Sequence, residues 1–513
     1  MSRAILILFF GAAFFAQTAT AQQNYFRCGT VGEDAAIIQQ RLRENKAAMQ
    51  NNPVISRDFK YVPVKFHLIA KTDGTGMVAK NRVLDELCIL NEEYAEVGIQ
   101  FYIKGGFNYI YNNTVYSNHQ ATQNTVMTFQ RDNAALNIFI PENADPPNQA
   151  GPGVVLGYYS PAKDWLVIAK SEVGIPGLAF PHEMGHFFSL NHPFYGWDYD
   201  PWDQSLHGNP VMMTTAPDGI TPVELANGSN CETAGDEVCD TPADYLFGFG
   251  WDDCNFTTDV RDRNNQQLNP DERLWLNYFF GCNVDDYYFT DMQEALMIQD
   301  YYSNRRNYIR SGFTPSLTEI TEAPTLEFPA NTEQLDYFNS VQLDWSDVPA
   351  AEAYLLQVSL VPTFSSGLTV YDEVVYGTSK VITILSANRT YYWRVRPFSA
   401  YRTCTNFSST HSFKTGSLVG VQDNNLTASV NISPNPVSRG QELNVSIRSA
   451  KTFDSELALF SMAGQRVRQY GPLSIQAGAN QFSLSVSGLN AGVYLLAIDS
   501  PEGKMYQRIV VTR

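Results

Sequence analysis

Positively charged residues are scarce in this chain of 513 residues. Its 35 lysines and arginines stand against 53 aspartates and glutamates, which gives a formal net charge of -18 at pH 7. A surface with that balance repels phosphate backbones and anionic lipids, so neither nucleic acids nor membrane surfaces are expected as partners. Histidine is also rare, with 7 residues in the whole chain, and any cluster of histidines is therefore informative.

Long apolar runs are lacking after the N-terminus, so no transmembrane segment is expected. The first apolar run, "AILILFFGAAFFA", follows Arg3 and is about a dozen residues long, whereas a membrane span needs about 20. Small residues at Ala19 and Ala21 precede a predicted cleavage site before Gln22. Residues 1–21 are therefore predicted to be a removable signal peptide, and the mature protein is expected outside the cytoplasm, where disulfides persist.

Cysteine is infrequent and odd in number, with 7 residues, so at least one free thiol is expected. Four cysteines lie close together and predict two local disulfides, with all three pairings open: Cys231, Cys239, Cys254 and Cys282. Cys28, Cys88 and Cys404 are scattered along the chain. Cys88 falls in a predicted helix, Ala79 to Glu96, where a buried thiol is the simplest interpretation.

The composition and the spacing of apolar residues change several times along the chain. These changes predict an α+β domain followed by two all-β sandwich domains. A polar leader with a short amphipathic helix comes first, then alternating strands such as "KYVPVKFHLIA" mixed with helices, then β-rich segments with frequent turns. The predicted bounds are 22–57 for the leader, 58–313 for the α+β domain, and 326–417 and 426–513 for the two β domains.

The first β domain resembles a fibronectin type III module. Trp345 and the later "YYWRVR" carry this resemblance, which places Trp345 and Tyr391 or Trp393 in the core. The module could bind a ligand or space its neighbours. Because none of its residues suggests a ligand site, we expect a spacer.

The C-terminal domain resembles the sorting domain of the bacterial type IX secretion system. The motifs "SPNP", "LNAGVYLL" and a last strand with "RIVV" occur in the order of that family. The resemblance implies a Gram-negative bacterium, passage across the outer membrane by the type IX machinery, and removal of this domain during export.

Three of the rare histidines occur in "AFPHEMGHFFSLNHPF". On a helix, His182 and His186 share one face, with Glu183 beside them, which is the H-E-x-x-H arrangement of zinc peptidases. His192 can join them where the helix stops and the chain turns back. Three protein ligands leave one position for a zinc-activated water, with Glu183 as general base for peptide-bond hydrolysis. The alternative is a helix whose histidines only form hydrogen bonds in a core.

This segment resembles the metzincin signature H-E-x-x-H-x-x-G-x-x-H. Further motifs, "GDEVCDTPAD", "NPDERLWLNYFFGC" and "YFTDMQEALM", are similar to the pappalysin/cytophagalysin family over about residues 60–300. The family implies a zinc endopeptidase that acts on proteins or peptides. It also implies a calcium site with the Asp236 carboxylate, Asp240 and carbonyl groups of Gly235, Val238 and Thr241. The alternative is an acidic turn closed by a Cys231–Cys239 disulfide.

Three positions depart from the family pattern. Ser189 stands where the family has glycine, so a positive φ is expected at Ser189 or at Asn191. Phe279 replaces a methionine beneath the metal. Gly281 replaces a tyrosine, which removes a hydrogen-bond donor to the transition state and predicts slower turnover.

Cys28, in "RCGT" of the leader, resembles the thiol switch of metzincin zymogens. Its thiolate would occupy the open zinc position and keep the enzyme latent until residues 22–57 are removed. A disulfide with Cys88 or Cys404 is the alternative. The whole sequence therefore predicts a secreted, latent zinc endopeptidase. The second hypothesis is a secreted binding or adhesion protein built on a degenerate peptidase fold.

Overall fold

The computed structural model describes residues 26–51, 58–145, 154–247, 253–310, 312–365, 367–418, 428–449, 452–461, 465–500 and 503–512. The predicted signal peptide, residues 1–21, lies outside them. The chain divides into two compact units. The first comprises Met1–Leu326, Trp345–Thr378 and Trp393–Thr410, and the second Glu327–Asp344, Ser379–Tyr392 and His411–Arg513. Residues of the predicted module 326–417 thus belong to both units, and the predicted domain bounds stay predictions.

All helices in the described part of the chain belong to the first unit. They are α1 Glu33–Asn51, α2 Lys80–Glu93, α3 Asn113–Ser117, α4 Thr128–Gln130, α5 Ala179–Phe187, α6 Gln204–His207 and α7 Asp291–Tyr302. Shorter turns are a π-helix, Gln123–Met127, and 3-10 helices at His119–Thr122, Lys170–Glu172, Cys231–Thr233, Val284–Asp286 and Asn304–Ile309. Among the described residues, none of these helices has the length and hydropathy to cross a membrane.

A mixed seven-stranded sheet organises the first unit. Its strands are β1 Phe26–Cys28, β2 Lys60–Ala70, β3 Ile99–Ile103, β4 Asn108–Tyr111, β5 Leu136–Ile140, β6 Val154–Ser160 and β7 Trp165–Ile168. Their order is β1-β6-β7-β5-β2-β3, and β4 also pairs with β2. The β6–β7 pair is antiparallel, whereas β1 pairs with β6 in parallel. The leader therefore supplies the strand at one edge of the sheet.

The main core lies between this sheet and helices α2 and α5. Val62, Val64, Phe66 and Leu68 of β2 are fully buried. Val83 and Leu87 of α2, with Tyr94 at its C-cap, belong to the same cluster. Each such large side chain contributes about 1.5–3 kcal/mol by leaving water. The apolar residues of the sequence thus account for the buried face of the sheet against which α5 packs.

The remaining strands are β8 Leu326–Phe328, β9 Glu333–Gln334, β10 Val341–Trp345, β11 Ala353–Ser359, β12 Thr369–Val375, β13 Ser379–Ile382, β14 Thr390–Phe398, β15 His411–Lys414, β16 Ala428–Ser433, β17 Val437–Ser438, β18 Glu442–Ser449, β19 Phe453–Ser461, β20 Arg466–Ile475, β21 Gly478–Ser485, β22 Gly492–Ser500 and β23 Gly503–Thr512. In the first unit β11 pairs antiparallel with β12. In the second, β10 pairs antiparallel with β13.

The C-terminal residues form two sheets, ordered β16-β18-β21 and β17-β23-β22-β19-β20. Side chains of both sheets, among them Leu443, Val445, Leu459 and Leu496, share one apolar cluster. A β-sandwich of the predicted kind is therefore present in this part of the chain.

Disulfides resolve the open cysteine assignments. Two local bonds form, Cys231–Cys239 and Cys254–Cys282. The prediction that Cys88 is a buried thiol is wrong, because Cys88 is bonded to Cys404. Their residues are 316 positions apart, and so distant a pairing has no local signal in the sequence. Cys28 is the free cysteine among the described residues.

Candidate metal centre

Helix α5 and the turn after it place the three histidines. The helix ends at Phe187, and Ser189 follows with φ 69, as expected for this position. Ser189 N donates to His186 O (3.0 Å) and Leu190 N to Gly185 O (3.0 Å), which is the hydrogen-bond pair of a Schellman C-cap. The Ser189 hydroxyl also donates to Asp300 Oδ1 at 2.8 Å. This anchored turn reverses the chain and returns His192 to the helix.

The Nε2 atoms of His182, His186 and His192 converge. His182 and His192 are 3.1 Å apart, and His186 lies 3.2 Å from each of the other two. All three side chains are buried. Nitrogen atoms that face one another at this distance are the arrangement that a shared cation would satisfy.

The Nδ1 atom of each imidazole ring lies at hydrogen-bond distance from an oxygen atom. His182 Nδ1 is 2.8 Å from Trp275 O, His186 Nδ1 is 2.8 Å from Leu190 O, and His192 Nδ1 is 2.6 Å from Asp198 Oδ1. These contacts assign the proton to Nδ1 and leave each Nε2 lone pair for a metal. Burial, followed by the nearby His192, lowers the pKa of His182 and of His186 well below the usual value. The three rings therefore fit zinc.

Glu183 lies between the histidines and the sheet. Its side chain is buried, and burial raises its pKa to about 8. Gly157 of β6 makes room for it, because a Cβ at that position would lie 2.9 Å from Glu183 Cγ. The carboxylate is thus held close to the three histidines, and it could accept a proton in the way that a general base does.

The leader reaches this centre with Cys28 and Thr30. One ligand atom each of Cys28, His182, His186 and His192 lies within 4.8 Å of the others, so the structure brings the predicted switch cysteine to the histidines. The alternative disulfide of Cys28 with Cys88 or Cys404 is wrong, since those two cysteines are bonded together. Thr30 Oγ1 lies 3.2 Å from Glu183 Oε2, a contact that the sequence analysis missed.

Tyr278 is a second residue that the sequence analysis missed. Its ring centroid is 5.3 Å from that of His192 and 6.0 Å from that of His182. Its hydroxyl oxygen accepts a hydrogen bond from Cys28 N at 3.1 Å. Phe279 is also buried, and its ring centroid lies 6.3 Å from that of Phe256. The sequence did hold one indication of Tyr278, because it directly precedes Phe279, which the sequence predicts to lie beneath the metal.

The acidic loop that resembles a calcium site contains a compact set of oxygen atoms. Thr241 Oγ1 lies 3.0 and 3.1 Å from the two carboxylate oxygens of Asp236 and 2.6 Å from Val238 O. Asp240 instead accepts hydrogen bonds from Thr290 Oγ1 (2.7 Å) and Met292 N (2.8 Å). Asp240 therefore caps the start of α7.

Glu224 faces the same loop and was not foreseen. Its Oε2 atom is buried and has no hydrogen-bond partner among the described residues. A Cβ on Gly235 would lie 2.5 Å from that oxygen. Burial and the neighbouring Asp236 raise the pKa of Glu224 to about 9, and burial raises that of Asp236 well above its usual value. A cation would relieve the cost of these two buried carboxylates.

Comparison with known proteins adds a domain and distant relatives. Residues 431–512 match the family model described as "Secretion system C-terminal sorting domain", which confirms a sorting domain at this end of the chain. An "Extracellular metalloprotease" of Pyricularia oryzae is 25% identical over 211 residues, 36% of this chain and 71% of that protein. A second, from Neurospora crassa, is 25% identical over 274 residues, 48% of this chain and 88% of that protein. The chain is thus distantly similar to extracellular metalloproteases.

Solved structures match only loosely. Fibronectin(III)-like modules of Clostridium thermocellum CbhA have a TM-score of 0.15 and 8% identity, over 37% of this chain and 92% of that one. Dimeric latent PorU from Porphyromonas gingivalis has a TM-score of 0.15 and 14% identity, over 37% of this chain and 20% of that one. TM-scores of this size carry no argument about the fold, and the fibronectin type III module stays a prediction.

Proposed function

We propose that this chain is the latent precursor of a secreted, zinc-dependent endopeptidase of the metzincin type. The observation that carries the proposal is the convergence of three buried Nε2 atoms, with separations of 3.1–3.2 Å. The distant similarity to extracellular metalloproteases supports it. The motifs shared with the pappalysin/cytophagalysin family support the narrower assignment.

The residues of the centre divide into ligands and a base. His182, His186 and His192 would hold zinc, which supplies a Lewis acid that polarises the scissile carbonyl and lowers the pKa of a water. Glu183 takes the proton of the attacking water and delivers it to the leaving amine. Gly157 leaves space for this side chain beside the sheet, since a Cβ there would lie 2.9 Å from Glu183 Cγ.

Latency would come from the leader, which occupies this site in two ways. Strand β1 pairs with β6, with Cys28 opposite Gly157, and so covers the side of β6 that would be the free edge of the sheet without the leader, where an extended peptide would bind. Cys28 faces the histidines. Helix α1 secures the leader from behind, because Gln39 Nε2 donates to Asp236 O (3.2 Å) and Lys46 Nζ to Glu237 O (2.6 Å).

The acidic loop is proposed to bind calcium. Asp236, Val238 O and Thr241 Oγ1 already lie together, and Glu224 adds a buried oxygen without a partner in the described part of the chain. Oxygen ligands of this kind suit a hard cation. Gly235 and Thr241 would contribute their carbonyl groups, and Asp240 would act through its cap on α7.

Export is proposed to follow the predicted route. A signal peptide at residues 1–21 would direct the chain out of the cytoplasm. The sorting domain, with its resemblance to the type IX system, would then take it across the outer membrane of a Gram-negative bacterium. Protein or peptide substrates would be met in the medium or at the cell surface.

One experiment tests the enzyme. The processed protein is purified from the secreting cell, and its zinc and calcium contents are measured by elemental mass spectrometry beside its rate of casein cleavage. We expect one zinc, bound calcium, and a rate that falls about 10²–10⁴-fold in Glu183→Gln with zinc retained. A protein with stoichiometric zinc that cleaves no faster than Glu183→Gln would instead favour the binding or adhesion protein. A processed protein without calcium would refute the loop site alone.

A further inference from the structure

A buried ion pair, Asp300–Arg306, lies beside the turn that returns His192 to the other two histidines. Arg306 Nε is 2.7 Å from Asp300 Oδ2, and both residues are fully buried. Removing two charges from water is costly, and an apolar pair of similar volume is often at least as stable. The contacts of this pair with the turn explain its presence better than stability does.

The ion pair holds the turn on both sides. Before the turn, the Arg306 guanidinium donates to the carbonyl oxygen of Phe187, the last residue of α5, and lies 3.7 Å from the centroid of the Phe187 ring. Within the turn, the Ser189 hydroxyl donates to Asp300 Oδ1 at 2.8 Å. The pair thus connects the end of the helix to the residue where the chain reverses.

Ser189 benefits from such an anchor because its backbone is left-handed. Its φ is 69°, a conformation that glycine adopts freely and that a residue with a Cβ atom adopts at a cost. The family that the sequence resembles has glycine at this position. Hydrogen bonds to charged acceptors are stronger than those between neutral groups, so the bond to Asp300 offsets the cost of a serine here.

The anchor does not depend on the leader. In the precursor, Asp300 Oδ1 also accepts a hydrogen bond from Asn45 Nδ2 of helix α1 at 3.0 Å, and this donor would leave with the leader. Arg305 Nη1 lies 3.1 Å from the same oxygen and belongs, like Arg306, to the segment after α7. The carboxylate therefore keeps its positive partners in the processed protein, and Ser189 keeps its acceptor.

We propose that Asp300 is a positioning residue of the metal centre, which holds Ser189 in the left-handed conformation that brings His192 to the other ligands. It acts through the turn alone, and no bond to it forms or breaks during hydrolysis. The serine that departs from the family pattern thus has a partner that compensates for it. This role rests on the proposed endopeptidase function, because it concerns the same zinc ligands.

Three serine variants of the processed protein test the role through zinc affinity, measured by competition with a chromophoric chelator. Ser189→Ala keeps the left-handed backbone and loses the anchor, so its zinc Kd should rise about tenfold, as for other lost outer-shell contacts. Ser189→Gly needs no anchor and should stay within about twofold of the wild type. Ser359→Ala is the matched control: this buried hydroxyl donates to Leu368 O at 3.1 Å, and its loss should leave zinc affinity unchanged.

Asp300→Asn tests the partner of the serine. It should weaken zinc binding about tenfold in the wild-type background and distinctly less in the Ser189→Gly background, where the turn no longer depends on the carboxylate. Equal losses in the two backgrounds would contradict the proposal. If Asp300→Asn does not fold, because Arg306 loses its buried partner, the serine series decides alone.

Hydrogen exchange of the zinc-free protein gives a readout without metal. The Leu190 amide donates to Gly185 O at 3.0 Å, and its exchange should accelerate about tenfold in Ser189→Ala through local opening of the turn, with no change in Ser359→Ala. Wild-type zinc affinity in Ser189→Ala would overturn the proposal, and so would an equal loss of affinity in Ser189→Gly. A wild type that binds zinc and cleaves nothing would overturn the proposed function alone, since the zinc series still decides the role of Asp300.

Discussion

Thr30 is one of the leader residues that contact the proposed general base, Glu183. Its hydroxyl oxygen lies 3.2 Å from Glu183 Oε2 and accepts a hydrogen bond from Tyr159 N at 2.8 Å. Cys28, two residues earlier, lies close to the three histidines that are proposed to bind zinc. The short segment from Cys28 to Thr30 thus engages both parts of the proposed machinery, the ligand set and the base.

We expect Thr30→Val to weaken latency in the full precursor. Valine has nearly the same shape but loses the hydrogen bonds, each worth about 0.5–1.5 kcal/mol, so basal cleavage of a fluorogenic peptide should rise about tenfold. Mass spectrometry must confirm that the precursor is unprocessed during the assay. Thr30→Ser retains the hydroxyl and should behave as the wild type. Equal basal rates for the valine and serine variants would show that the contact does not contribute to latency.

The sequence predicts only part of this site, for a geometric reason. His182, Glu183 and His186 follow from the period of one helix, and a turn with positive φ at Ser189 follows from the need to bring His192 back. Tyr278 and Thr30 contact their partners across 250 and 153 positions of the chain. Contacts of that separation depend on the assembled sheet, which a local pattern does not encode.

Helix α2 carries two acidic side chains that the fold keeps out of water. Glu86 and Glu93 are seven positions apart and therefore share one helix face. Burial raises the pKa of Glu86 to about 8 and that of Glu93 to about 9, from a usual 4.5. Glu86 Oε2 accepts a hydrogen bond from Gly174 N at 2.6 Å. Both oxygens of Glu93 are buried without a partner in the described part of the chain.

The fold should therefore lose stability in mild alkali through Glu93. A carboxyl whose pKa is raised in the folded state contributes fully below pH 4.5 and loses that contribution as the pH rises through about 9. Glu93→Gln imitates the protonated form, so its Tm should stay flatter than that of the wild type between pH 6 and pH 9.5. Glu96→Gln, at an exposed position, is the control. Parallel Tm curves for the Glu93→Gln and wild-type chains would contradict the expected titration.

Helices and strands with regularly spaced apolar residues are predicted better than short elements. The alternating run "KYVPVKFHLIA" coincides with β2, Lys60–Ala70. The helix predicted from Ala79 to Glu96 is found as Lys80–Glu93, because Tyr94 leaves the helical region at its C-cap. Strand β1 has three residues and therefore no detectable period. It exists because β6 offers an edge, which is a property of the tertiary fold.

Across the whole molecule, segments from the predicted β module complete the first compact unit. Arg396 Nη1 pairs with Asp85 Oδ1 at 2.6 Å, and Ile103 N donates to Ala400 O at 2.8 Å. The Cys88–Cys404 disulfide joins helix α2 to the same region. These contacts were not predictable from the sequence pattern, since the predicted boundary after residue 313 marks a change in composition and says nothing about how later segments pack.

A chain ended at residue 313 should consequently be less stable than one ended at residue 418. The shorter chain lacks the ion pair, the backbone bond and a disulfide that typically contributes about 2–4 kcal/mol, so its Tm should be lower by roughly 10 °C. Cys88→Ala/Cys404→Ala in the longer chain removes the disulfide alone and should account for about half of the difference in Tm.

The two disulfides should also differ in their contribution to stability. Because a bond that closes 316 positions restrains the unfolded chain more than one that closes 28, Cys254→Ala/Cys282→Ala should lower the Tm less. Equal Tm values for the two truncated chains would mean that the α+β region is stable without its β-module segments, as the sequence texture first indicates.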